Sequence, residues 1–240
     1  MKAETLLREG KLDEAVDALV AYLRDNPEDA KGRTFLFELL CFRGEYDRAR
    51  KHLALLAQGK KDNAIGALLY EGALQAEELR QKMFETGEYP AALPGGSDQL
   101  SGKLNGKPFT SLGDSDPRLG ARLEIFAAGD YMWLPLEHVA SIHMDPPKKL
   151  RDLLWCPAFV KTGPGFQERD LGEILIPVLC PQSARHPDEL VRLGRVTEWC
   201  ADEQGNEYPY GLKMLVVDGE EVPLLEMRSL EIAQAEKAAE

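Results

Sequence analysis

A repeat constrains this chain more than any other feature. "REGKLDEAVDALVAYLRDNP" (8–27) and "FRGEYDRARKHLALLAQGK" (42–60) align with Gly10 over Gly44, Leu12 over Tyr46, Ala15 over Ala49 and Leu19 over Leu53, each pair 34 residues apart. A fixed period of this length means that one supersecondary unit recurs and buries its apolar face against the next copy. The residue types suit a helical hairpin. The glycine sits in the turn, the bulky residue after it caps the hairpin, and the small alanine lets the two helices approach closely. Asn26-Pro27 then stops the first hairpin, because proline cannot continue a helix.

Thirty-four residues is the tetratricopeptide period. Leu6, Leu40 and Leu74 extend it to a third unit, "NAIGALLYEGALQAEELRQKMF" (63–84), in which Glu78 stands where the turn glycine belongs. The third unit is therefore expected to run on as one helix and close the stack, as a terminal unit without a further neighbour can.

From Thr86 to Gly120 the texture changes to Gly, Pro, Ser and Asp with little periodicity, which reads as a connector, partly packed. Strand-like runs bounded by turns follow. "ARLEIFAAGDYMWLPL" reads as a hairpin turning around Ala127–Asp130, "LGEILIPVLCP" as a strand, and "RVTEWCADEQGNEYPYGLKMLVVDGEEVPLLEM" as a meander turning at Gln204–Asn206 and Asp218-Gly219. Two short helical pieces, "KKLRDLLW" and "HPDELVRLG", lie between them. The fold class is α+β: tetratricopeptide-like hairpins over 1–86, an irregular connector over 87–120, a β-rich α+β domain over 121–232 and a frayed tail over 233–240.

Charge bounds the partners. Lys+Arg 29 against Asp+Glu 41 gives a net charge of −12, which opposes binding to a nucleic-acid backbone or to an anionic membrane surface. The excess acid lies in the β-rich part, so a peptide recognised there is expected to be basic. No apolar run has the length of a bilayer span and "MKAETLLREG" lacks the apolar core of a secretory signal, so the expected compartment is the cytoplasm. Cys41, Cys156, Cys180 and Cys200 form no C-x-x-C pair, and His52, His138, His143 and His186 form no H-E-x-x-H or H-x-H array. Free, mostly buried thiols are the expectation, with no metal and no cofactor.

Catalytic signatures are absent: no G-x-S-x-G elbow, Walker loop or G-x-G-x-x-G. In "GDSDPRLG" (113–120), Asp114 and Asp116 offer two readings. They could chelate a cation or act as an acid–base pair, or they bond local backbone amides while Arg118 pairs with a carboxylate, which is the turn chemistry expected of these residues. Trp133, Trp155 and Trp199 offer an aromatic slot or, more simply, core packing for at least two of them. A tetratricopeptide stack holds a peptide on its inner surface, and helical spacing puts Thr34, Glu38, Cys41 and Phe42 of the second unit, and Ile65, Leu68, Gly72 and Gln75 of the third, on that side. The alternative is that these residues contact the β-rich part.

The sequence resembles the ImpE/TagJ accessory proteins of bacterial type VI secretion, the SciE-type virulence proteins. Besides the opening helical block, three stretches carry the resemblance. "GDSDPRLGARLEIFAAGDYMWLP" supplies Asp114, Asp116, Arg118, Leu119, Gly120, Tyr131, Trp133 and Pro135. "PPKKLRDLLWCPAFV" supplies Arg151, Asp152 and Trp155, and "RLGRVTEW" ends on Trp199. These are expected to be structural residues. The resemblance implies a non-enzymatic cytoplasmic adaptor that binds the N-terminal helix of the small contractile-sheath subunit and modulates sheath handling by the ClpV-type unfoldase. A small-ligand binder or enzyme built on Asp114, Asp116 and Arg118 beside a tryptophan is the second reading. The segment 146–160 reads as a crossover between strands, with Leu150, Leu153, Leu154 and Trp155 inward and Arg151 tied to an acid.

Overall fold

The computed structural model describes residues 1–58, 61–89, 99–166 and 170–234. Helices α1 (Lys2–Arg8) and α2 (Leu12–Asp25) form one hairpin, and α3 (Ala30–Phe42) and α4 (Tyr46–Ala57) the next. Gly10 and Gly44 make the turns at φ +85 and +68, a region open to glycine at little cost. Ala15, Leu19, Ala49 and Leu53 face inward as the repeat requires. Helix α5 (Lys61–Thr86) runs 26 residues straight through Glu78. Glu78 lies along the stack instead of turning it, taking two bonds from Arg50 of α4 at 3.1 and 2.8 Å.

Among the described residues thirteen strands follow. An eight-stranded antiparallel sheet runs in the order β2 (Lys107–Phe109), β1 (Gly102–Leu104), β13 (Ser229–Ile232), β6 (Val139–Met144), β7 (Trp155–Thr162), β8 (Asp170–Pro177), β4 (Arg122–Ala127), β5 (Asp130–Pro135). A three-stranded sheet, β12 (Glu220–Pro223), β11 (Met214–Val217), β3 (Leu112–Asp114), packs with it, and β9 (Glu198–Ala201) and β10 (Glu207–Tyr210) make a separate ribbon. Short helix α6 (Glu189–Arg192) begins at Asp188, whose side chain accepts from the Leu190 amide.

The large sheet is buried on both faces. Phe126, Tyr131, Trp155 and Leu175 join a core cluster with the helices, whereas Ile125, Cys156, Ala158, Ile174 and Ile176 join a second cluster with Leu112 and Leu215 of the small sheet. Successive residues of a strand point to opposite faces, so "ILIP" (174–177) is apolar throughout because neither face meets water there. The order is helices, large sheet, small sheet.

Two stretches differ from the sequence expectation. Residues 99–120, read as connector, hold β1, β2 and β3. Each is only three residues long, too short for a period-2 pattern to show. The tail begins in place: the Ala233 amide bonds the Ser101 carbonyl at 2.8 Å and Gln234 Nε2 bonds the Val139 carbonyl at 2.8 Å. The remainder of the tail, 235–240, lies outside the described residues.

Candidate functional site

Much of the expected peptide face is occupied by the protein itself. Helix α3 buries every residue from Leu36 to Phe42, more than one face, because the β-rich part covers the inner side of the stack. Glu38 accepts a 3.0 Å bond from Arg151, Cys41 and Phe42 are core, and burial pushes the Cys41 thiol well up. Gly72 lies against the β4–β5 turn, where an added Cβ would stand 3.1 Å from the Gly129 Cα. Glu38, Cys41, Phe42 and Gly72 are therefore internal contacts, which corrects their assignment to a free peptide face. Thr34 is half-buried, Gln75 is exposed and Leu68 is 75% exposed. The side chain of Ile65 lies outside the described residues.

The seam between helices and sheet is ionic. Arg80 of α5, 1% exposed, donates to both oxygens of Glu124 at 2.7 and 3.0 Å, to Glu77 at 3.0 Å and to the Leu179 carbonyl at 2.9 Å. Glu124 also faces Lys213 at 2.8 Å and accepts from the Tyr131 hydroxyl at 2.5 Å, and Tyr131 in turn accepts from Trp133 Nε1. Glu77 takes the Trp155 indole at 2.8 Å. Burial raises the Glu124 carboxyl, but Arg80 and Lys213 outweigh it and hold it far below the usual carboxylate range. Buried charges are tolerable only when paired and hydrogen-bonded, and these are.

The acidic turn belongs to the same seam. Asp114 bonds Lys213 and the Asp116 amide, while Asp116 takes the Arg118 amide at 3.0 Å and its guanidinium at 2.8 and 2.6 Å. Arg118 is stacked between Phe84 (4.7 Å) and Tyr208 (4.2 Å). Gly120, at φ +57, returns its carbonyl to the Asp114 amide, and Leu119 and Pro135 are buried. All four carboxylate oxygens of Asp114 and Asp116 are thus engaged in holding a turn. Trp155 is core, Trp133 stacks on Tyr89 at 5.2 Å, and Trp199 is 44% exposed on β9.

The crossover between β6 and β7 forms the wall of a groove. Asp152 accepts from the Lys148 and Lys149 amides at 2.8 and 2.9 Å, closing a 3₁₀ turn over Leu150–Leu153. That turn points Arg151 across to Glu38, with its guanidinium 4.8 Å over the Tyr70 ring. Two cavities, of 370 and 390 Å³, meet at Gly66, Tyr70 and Arg151. The first is lined by Lys31, Thr34, Phe37, Leu53, Leu56 and Ala67, the second by Leu69, Pro146, Pro157 and Leu175 together with the charged Lys148, Lys149 and Glu173. Leu69 of α5 is 49% exposed, and Leu68, 75% exposed, lines neither cavity. Sequence reasoning missed this groove because its two walls, 30–70 and 145–175, are joined only by the fold.

Comparison with known proteins agrees with this architecture. The family model described as ImpE protein matches residues 106–231, and a tetratricopeptide repeat model matches residues 6–71. The type VI secretion system accessory component TagJ of Pseudomonas aeruginosa is 30% identical over 96% of this chain and 91% of its own length. The crystal structure of protein VPA1032 from Vibrio parahaemolyticus superposes with a TM-score of 0.85, covering 98% of this chain and 99% of that one, at 20% identity, which speaks for the fold. The chain belongs to the ImpE family. Among the described residues, no helix is long and apolar enough to cross a membrane.

Proposed function

We propose that the protein is a non-enzymatic, cytoplasmic accessory component of a type VI secretion system. It docks the N-terminal helix of the small contractile-sheath subunit in the groove between α3–α5 and the β6–β7 crossover, and so modulates sheath handling by the ClpV-type unfoldase. The observation that carries this reading is the groove itself: apolar side chains such as Phe37, Leu53, Leu69 and Leu175 set among charged ones such as Lys31, Lys149 and Glu173, with Leu69 exposed on its wall, on a helical scaffold of a kind that holds peptides. The relation to TagJ supports the pathway. The engaged state of Asp114, Asp116 and Arg118 supports an adaptor over an enzyme.

Titrating a labelled peptide from the sheath subunit's N-terminus into the protein tests it. Saturable binding is expected, weakened by about tenfold or more by Leu69→Asp with the melting temperature unchanged. Absence of saturable binding removes the proposal, and full binding by the Leu69→Asp variant moves the site off this groove.

A further inference from the structure

Outside the groove and the ionic seam, one cluster among the described residues has the chemistry of a ligand set. Glu198 and Cys200 are two apart on β9 and so project from the same face of the ribbon. His186, just after a 3₁₀ turn over Ser183–Arg185, turns its ring toward them. Its Nε2 lies 3.8 Å from Cys200 Sγ and 3.5 Å from Glu198 Oε2, and the three donor atoms all fall within 4.8 Å of one another. Tetrahedral bonds of about 2.0–2.3 Å to a zinc ion hold nitrogen, oxygen and sulfur ligands about 3.3–3.7 Å apart. The cluster is already close to that spacing.

Its surroundings fit. A cavity of 360 Å³ lined by Gln182, Arg185, Pro187 and Tyr210 opens beside it, leaving room for a fourth, water ligand. The Tyr210 ring packs against His186 at 5.7 Å and steadies one face of the imidazole. The nearby cation, Arg185, is engaged by both oxygens of Glu85 at 3.1 Å.

We propose that His186, Glu198 and Cys200 form a site for a divalent transition-metal ion of the zinc or cobalt class, open at its fourth position. Thiolate and imidazole favour such ions over magnesium or calcium, which prefer oxygen. Binding takes Cys200 as thiolate, so its proton leaves to solvent. The His186 ring also changes tautomer. Without metal the Asp188 amide donates to Nδ1 at 3.2 Å, which puts the ring hydrogen on Nε2. With metal on Nε2 the hydrogen moves to Nδ1 and the Asp188 contact is given up. That exchange makes the ion a removable ligand and not a requirement for folding.

The test is titration of the full-length protein with Co²⁺, read by absorption. One equivalent is expected to bind saturably, with a thiolate-to-cobalt charge-transfer band and tetrahedral visible bands that Zn²⁺ displaces. Cys200→Ser abolishes the charge-transfer band, whereas Cys156→Ser keeps it. His186→Ala weakens binding by more than the roughly 10–100-fold cost of losing an outer partner, and Glu198→Gln, at an exposed position, weakens it without touching the fold. A missing band, or one that survives Cys200→Ser, overturns the proposal. So does unchanged affinity in both His186→Ala and Glu198→Gln.

Discussion

Arg80→Met probes the ionic seam most directly. The substitution keeps the apolar stem but removes a guanidinium that makes four bonds, two to Glu124, one to Glu77 and one to the Leu179 carbonyl. Breaking a buried pair from one side costs about 3–5 kcal/mol, mostly because the abandoned charge stays desolvated. Here Glu124 keeps Lys213 and Tyr131, and Glu77 keeps Trp155 and Gln81, so the lower half, about 3–4 kcal/mol, is expected. For a chain of 240 residues each kcal/mol moves the midpoint by about 2–4 °C, giving a fall of about 6–16 °C. Thermal melts at pH 7 followed by circular dichroism read it. Adding Glu124→Gln should cost less than the two single changes together by about 1 kcal/mol or more, since the second removes the charge that the first strands. A midpoint within about 2 °C of the parent, or strict additivity in the cycle, would refute the view that these charges act as one unit.

Other outcomes follow from the same structure. Glu124 has a folded pKa below its unfolded value, so its stabilisation is complete above about pH 5 and fades as pH falls; the stability gap between the parent and Glu124→Gln should narrow between pH 7 and pH 3. Burial pushes the Cys156 thiol up to about 11 and raises Cys41 and Cys180 as well, so a thiol reagent should label Cys200 alone in the native protein and all four cysteines in denaturant. Gly72→Val would press a side chain onto the Gly129 backbone and should destabilise by about 1–3 kcal/mol in urea unfolding, whereas an unchanged midpoint would show that the β4–β5 turn yields freely.

How much was legible varies by element for physical reasons. The helical hairpins showed because Gly10, Gly44, Ala15 and Ala49 each carry a local requirement that recurs at a fixed distance. Glu78 in place of glycine foretold the unbroken α5, and the β4–β5 turn showed through its glycine, which joins Ala128 at positive φ. The acidic turn was readable because Asp114 and Asp116 bond amides two residues along. What stayed hidden depends on contacts distant in sequence. Glu38 reads as an exposed polar residue until Arg151, 113 residues later, reaches it. Gly72 carries no sign of Gly129, and His186 none of Cys200. Glu38, Cys41 and Phe42 of the expected inner face are covered by the chain's own β-rich part, a tertiary fact, whereas Leu68 and Gln75 remain exposed.

The first hairpin has its own dependence on the far end of the chain. Asp13 is bound by Arg192, 179 residues later, at 3.3 and 2.8 Å, and Arg195 closes on the Leu7 and Arg8 carbonyls. At a synthesis rate of about 5–20 residues per second, Arg192 leaves the ribosome roughly 10–40 s after Asp13. Until Trp155 and Leu175 are made, the helices exist without the strands that cover Leu36, Phe37 and Phe42, and the first hairpin waits longer still for Arg192. A nascent chain is therefore most exposed to misassociation before residues 155–175 are made, and slowing translation there should lower soluble yield more than slowing it later.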